Sequence, residues 1–172
     1  MCGVATDYSL RSLENIKEKI SGCAIVTCCH GICNWNDYVA RDYLQNAFKN
    51  CEQTMGKREF ELIVKWTGGT TLNESNLRLK SSKEQKDDVN EESHSSTLVT
   101  GDDTRGPGVK SIVKYLNLKC GERGLGRVCQ RLIDHGRCEY MKRNLGLIKF
   151  SQIVYFVDEQ VTPQNALLIG SK

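Results

Sequence analysis

The densest run of chemically capable side chains is Cys28-Cys29-His30-Gly31-Ile32-Cys33-Asn34-Trp35. Cys28, Cys29, His30 and Cys33 are all competent zinc ligands. Adjacent residues of an extended strand point to opposite faces, however, and four ligands within six residues rarely close a tetrahedron. No second cysteine pair with ligand spacing lies elsewhere, so no metal site is assigned. A cysteine nucleophile needs a histidine and an orienting acid or amide near the thiol. His30 is too close in sequence to pair easily with Cys29, and the other histidines are His94 and His135. The run is read as lining a site, with metal ligation and inert packing as the alternatives. Cys51, Cys120 and Cys138 are read as fillers of small apolar sites.

Two further patterns could bind anions. Gly121-Glu122-Arg123-Gly124-Leu125-Gly126 resembles a glycine-rich phosphate loop superficially, but no clean strand precedes it and the spacing is not G-x-G-x-x-G, so a helix entrance is the better reading. Arg123, Arg127 and Arg131 recur at four-residue intervals. Such a stripe can contact phosphates, and a solvated helix face explains it equally well. Arg137 and Trp35 join these three arginines as candidate RNA contacts.

The elements that must position these groups alternate in type. Leu10, Leu13, Ile16 and Ile20 predict a helix over 7–20 with Thr6 as its N-cap and Gly22 as its breaker. Cys23 to Cys28 is a short continuous apolar run, which predicts a strand buried on both faces in a parallel sheet. Helices are predicted over 36–48, 57–66, 109–117 and 121–143. In the last, Leu125, Val128, Cys129, Leu132 and Ile133 share a face opposite the arginine stripe. Ile148 to Val157 and Ala166 to Ile169 read as strands. The order makes α/β the fold class, and the Cys-Cys-His run falls where the first strand ends, the side on which open α/β sheets place ligands.

With 172 residues, one domain is expected. From Thr67 to Arg105 Ser, Asn, Lys, Glu and Asp dominate, and residues 70–105 read as a disordered acidic insertion between 1–69 and 106–172. These three segments carry net charges of zero, −3 and +6 in the order 1–69, 70–105, 106–172. The basic C-terminal third suits a polyanion such as RNA. No apolar run reaches the ~20 residues that span a bilayer, and no secretory leader pattern opens the chain. Nine cysteines, two of them adjacent, make a poor disulfide framework. A reducing intracellular compartment, cytoplasm or nucleus, is expected.

Cys28 to Tyr38 resembles a signature of the eukaryotic tRNA 2′-O-methyltransferases that modify nucleotide 4 of the acceptor stem. Cys2-Gly3-Val4-Ala5-Thr6-Asp7 is similar to that family's C-G-x-A-T-D motif. Arg131-Leu132-Ile133-Asp134-His135-Gly136-Arg137 looks like its R-L-I-D-x-G-R helix, and Val161 to Ile169 like its closing strand. Where the family continues C-C-H with a second histidine and a basic residue, this chain has Gly31 and Ile32.

The resemblance implies S-adenosylmethionine-dependent methylation of a tRNA ribose. It implies the C-terminal part of a Rossmann-like methyltransferase sheet, with a central parallel strand and a terminal antiparallel pair. His30 is then the candidate base or hydroxyl-orienting group, because imidazole titrates near working pH, and Asp7 is the competing base. Cys2, Gly3, Thr6, Cys28 and Cys29 would wall the cofactor at the strand ends. The main cofactor loop is expected upstream of this chain, and zinc only in N-terminal fingers that would precede it. The chain alone is accordingly expected not to methylate RNA, and its first strand to leave an uncovered sheet edge. The alternative from another class is a non-catalytic RNA-binding or zinc-binding module.

Overall fold

The computed structural model describes residues 3–68, 114, 117–118, 121–158, 161–162 and 164–172. The expected insertion over 70–105, most of the expected helix over 109–117, and Cys2 lie outside the described residues.

The two C-terminal apolar segments pair as the sequence suggests. Strand β2 (Phe150–Tyr155) runs antiparallel to β3 (Ala166–Ser171). Strand β1 (Gly22–Val26) adds to the other edge of β3, giving the order β1-β3-β2. Here the expectation of a parallel strand is corrected, because β1 also pairs antiparallel to β3. β1 and β2 therefore point the same way, separated by the strand that opposes both. The expected burial of β1 on both faces is corrected as well. Ile25 is buried while Ala24 and Val26 are exposed. Among the described residues an open groove of about 650 Å³ lies between β1 and the first helix, lined by Tyr8, Leu13, Cys23, Ala24 and Val26 among others.

Among the described residues four α-helices accompany this sheet: α1 (Gly3–Glu14), α2 (Arg41–Lys49), α3 (Lys57–Thr67) and α4 (Gly121–Leu145). α1 begins four residues earlier than the apolar spacing predicts, so Thr6 lies inside it rather than capping it. The Gly3 N–H donates to Cys29 O at 2.8 Å and ties the first turn of the helix to the segment after β1. The expected helix over 36–48 begins only at Arg41. Before it, Asn34 and Asp37 form a local turn in which the Asp37 N–H donates to Asn34 Oδ1 at 3.0 Å, an alternative to helix that Asn and Asp offer the backbone. The glycine cluster is indeed a helix entrance, with Gly121 at φ 54°.

α4 is the element on which the others pack. Leu125, Cys129 and Ile133 on its expected apolar face are buried, but Val128 is 45% exposed. One side of α4 lies on the sheet, where Leu168 of β3 pairs with Ile25 and Ile153 and is fully buried. Gly170 permits that contact: a Cβ there would lie 2.8 Å from Met141 Cε and 3.1 Å from Leu147 Cδ1. The other side takes the segment before α2. The Tyr38 hydroxyl donates to Ile133 O at 2.8 Å, and the Tyr38 ring stacks 4.8 Å from Phe60. Gly136 makes room for Tyr38, because an added Cβ would collide with Tyr38 Oη and meet Ala40 Cβ at 3.1 Å.

Gly136→Ala should therefore lower unfolding free energy by about 1–3 kcal/mol, the usual range for overpacking a filled core. The measurement is urea denaturation; an unchanged midpoint would show that Tyr38 is free to move aside.

Candidate functional site

The centre of the site is a buried charge. Arg137, fully excluded from solvent in the middle of α4, grips Asp7 of α1 side-on, with Nε donating to Oδ1 at 3.1 Å and Nη2 to Oδ2 at 2.7 Å. Nη2 also reaches Gly3 O at 2.8 Å and Cys33 Sγ at 3.3 Å. Nη1 donates to Asp134 Oδ1 at 2.9 Å, one turn back on the same helix face. Asp134 carries the network outward. Its Oδ2 accepts from the Thr27 hydroxyl at 3.1 Å, and its Oδ1 lies 2.9 Å from His30 Nε2. That last contact is close enough for charge attraction, although its alignment is not that of a hydrogen bond, and His30 Nδ1 has no hydrogen-bond partner among the described residues. His30 is 4% exposed.

The three sequence motifs thus converge on one cluster. Gly3 and Asp7 come from the first, His30 and Cys33 from the second, Asp134 and Arg137 from the third. Burial raises the Asp134 pKa, but His30 and Arg137 beside it prevail and hold the carboxyl below its ordinary value. Burial pushes the Cys33 thiol up to about 11, so it remains protonated and packs rather than attacks.

Beside His30, at the end of β1, lies a cavity of about 20 Å³ lined by Thr27, Cys28, Asp134, Arg127, Arg131 and Asn165 among others. It has room for about one water molecule. Among the described residues no group of three or more His, Cys, Asp or Glu side chains could hold a metal ion, and no helix is long and apolar enough to cross a membrane.

The candidate residues fare differently. His30, Cys28, Arg127 and Arg131 are brought together around the cavity. Arg123 is half-buried one turn earlier on α4. Gly3 and Thr6 are buried within the protein, and Cys29 is half-buried, its carbonyl holding the Gly3 N–H. Asp7 is 1% exposed, with both carboxylate oxygens engaged by Arg137. Arg137 is corrected outright as an RNA contact, since a fully buried guanidinium committed to two carboxylates cannot meet a phosphate. Trp35 is half-buried, its ring 5.4 Å from Phe60 at the edge of the core. Asp134 and Thr27 were missed. The available signal was the Asp134/Arg137 spacing of three residues in a helix whose apolar stripe runs through Ile133.

With that geometry in place, comparison with known proteins is informative. The family model described as methyltransferase TRM13 matches residues 1–171. The chain belongs to the TRM13 methyltransferase family. Across 99% of its length this TRM13-family chain is 27% identical to the tRNA:m(4)X modification enzyme TRM13 of Vanderwaltozyma polyspora. Across 90% it is 29% identical to the tRNA:m(4)X modification enzyme TRM13 homolog of Homo sapiens. These matches take in 34% and 31% of the two relatives, so the chain spans about a third of their length. No solved structure matches it.

Two outcomes follow for the cluster. Arg137→Met should cost about 3–5 kcal/mol in denaturant unfolding, because it leaves two buried carboxylates without their cation; a cost under 1 kcal/mol would mean the cluster contributes little. The second concerns acid. Asp134 has a native pKa below its unfolded value of about 3.9, so its contribution is present above that value and is lost as pH falls through the native one. The midpoint of thermal unfolding, followed from pH 6 to pH 3, should fall less steeply in Asp134→Asn than in the parent chain.

Proposed function

We propose that this chain forms part of an S-adenosylmethionine-dependent tRNA methyltransferase that modifies the ribose 2′-hydroxyl of nucleotide 4, and that it works in a reducing intracellular compartment. The observation that carries the reading is the convergence of the three motifs on the Arg137–Asp134 cluster, which reaches His30 beside a cavity edged by Arg127 and Arg131, in a member of a methyltransferase family. The names of the curated relatives, tRNA:m(4)X modification enzymes, support tRNA as substrate; the ribose and nucleotide 4 rest on the motif resemblance. The antiparallel strand between two co-directional strands is compatible with the end of a larger Rossmann-like sheet, 1–69 and 106–172 being its middle and C-terminal parts.

Gly3, Thr6 and Cys28 enclose no space that would take the methyl donor. An added Cβ at Gly3 would collide with Cys33 Sγ and lie 2.9 Å from Cys29 O. Thr6 is fully buried, and the space beside Cys28 admits one water. Gly3 and Thr6 therefore brace the site rather than wall a cofactor.

What the chain's own residues can do is manage a proton and a phosphate. In the neutral tautomer that carries its proton on Nε2, 2.9 Å from Asp134 Oδ1, His30 Nδ1 would be an acceptor. A ribose hydroxyl at the cavity mouth would reach it through the one water that the cavity admits, a relay within the geometry of general-base catalysis. Asp134, fixed by Thr27 and Arg137, would hold the ring in that orientation. The engagement of both Asp7 oxygens supports His30 over Asp7 as base. Arg127 and Arg131 would meet the adjoining phosphates.

Labelled methyl transfer to unmodified tRNA, with mapping of the modified nucleotide, tests this. The 172-residue chain alone should be inactive and should form no micromolar complex with S-adenosylmethionine by calorimetry. Joined to the remaining portion of the Homo sapiens relative, it should label nucleotide 4, and His30→Ala should reduce that rate about 10²–10⁴-fold. Labelling elsewhere, or full activity without the imidazole, would overturn the reading.

A further inference from the structure

At the mouth of the cavity stands an aromatic ring that the reading above does not use. Tyr155 closes β2 and is 46% exposed, and the Arg131 guanidinium lies 5.4 Å from its ring centroid. Its position follows from strand periodicity. Ser151, Ile153 and Tyr155 share one face of β2, and the Ser151 hydroxyl donates to Cys138 O of α4 at 3.0 Å. Four strand residues from Ser151 to Tyr155 advance about 13 Å, and seven helix residues from Cys138 back to Arg131 about 10 Å. The ring thus arrives over the N-terminal half of α4, beside Arg131.

We infer that Tyr155 and Arg131 form a stacking platform for an unpaired nucleobase of the RNA substrate, next to the cavity that holds His30. The inference rests on the RNA-directed reading and adds to it the group that receives a base. The chemistry is that of single-strand recognition, in which an aromatic face and an arginine plane accept a base of any sequence while neighbouring cations hold the phosphates. Tyr155, Arg131 and Arg127 all line the one cavity, together with the amide side chains Gln164 and Asn165. The Asn165 amide nitrogen already donates to Val157 O at 2.7 Å, which fixes that side chain against the turn between β2 and β3. An exposed tyrosine on the outer surface of a helix or loop would need no explanation. One seated over an arginine, on the face that leads to the buried histidine, forms the aromatic half of a base-binding site whose cationic half the arginine stripe supplies.

The test compares two ligands on the purified chain, by fluorescence anisotropy: a labelled single-stranded pentaribonucleotide of mixed sequence, and its ribose-phosphate counterpart lacking bases. The parent chain should prefer the base-bearing ligand at least fivefold. Tyr155→Ala should remove that preference, with about a tenfold loss on the base-bearing ligand alone. Tyr155→Phe should retain it, and Arg131→Lys, which keeps the charge but loses the planar group, should weaken it. Arg127→Gln should weaken both ligands alike. Equal affinity of Tyr155→Ala and the parent chain, with Arg127→Gln still impaired, would overturn the platform and leave the phosphate contacts standing. A parent chain that binds neither ligand would overturn both. Circular dichroism on each variant separates a lost contact from a lost fold, and Tyr155→Phe, which keeps the ring, should match the parent spectrum.

Discussion

A guanidinium taken wholly out of water has to be matched by acceptors, or it costs several kcal/mol that a domain of this size cannot spare. At Arg137 the acceptors come from three separate stretches of chain: Asp7 and Gly3 of α1, Cys33 after β1, and Asp134 on α4 itself. The packing of α1 is a consequence. That helix has twelve residues, a length at which an isolated helix is marginal in water, and only one rotation of it about its axis delivers both Gly3 O and Asp7 to the same cation. The loop after β1 is constrained from both sides, by Cys33 on Arg137 and by Cys29 O on the Gly3 N–H. Asp134 then holds two cationic or potentially cationic groups on one oxygen and Thr27 on the other.

The sheet supplies the distance over which this constraint acts. β3 lies centrally, and the glycine at its end lets α4 approach closely enough for Arg137 to sit beneath the end of β1. Because β1 and β2 run in the same direction, their C-terminal ends fall on one side of the molecule. Thr27, just past β1, and Tyr155, the last residue of β2, consequently line the same cavity. The histidine, the arginine rim and the ring are neighbours because the central strand opposes both of its partners.

Much of this was legible in the residues. β2 and β3 are runs of Ile, Val, Leu and aromatic side chains. α3 and α4 show their apolar stripes, and the helix-entrance reading of the glycine cluster holds. The family resemblance, carried by three short motifs, marks the segments that converge. What was not legible has physical causes. A strand's own side chains do not record the direction of its partner, so β1 was expected parallel. The first turn of α1 is tied by a hydrogen bond to Cys29, 26 residues away, which no local propensity contains. Arg137 was grouped with the arginine stripe, yet it lies six residues beyond Arg131, about 240° further round the helix and on the face of Ile133, four residues before it. An arginine on an apolar stripe announces a buried ion pair, but only when it is read by angle rather than by composition.

The distance along the chain between the partners of that cation has a consequence during synthesis. Asp7 and Arg137 are 130 residues apart, Cys33 and Arg137 104, and Thr27 and Asp134 107. At about 5–20 residues per second, a ribosome that has just released Asp7 takes roughly 6–26 s to supply its counter-charge. During that interval α1 and β1 are on hand without the helix that joins them and without β3, which is made later still. Pairings of this sequence separation also slow folding after release, since the loop must close before the contact is made. The nascent segment that carries α1 and β1 therefore waits with an apolar strand and an unmatched carboxylate. Its exposure is set by the pace of translation rather than by the stability of the finished fold.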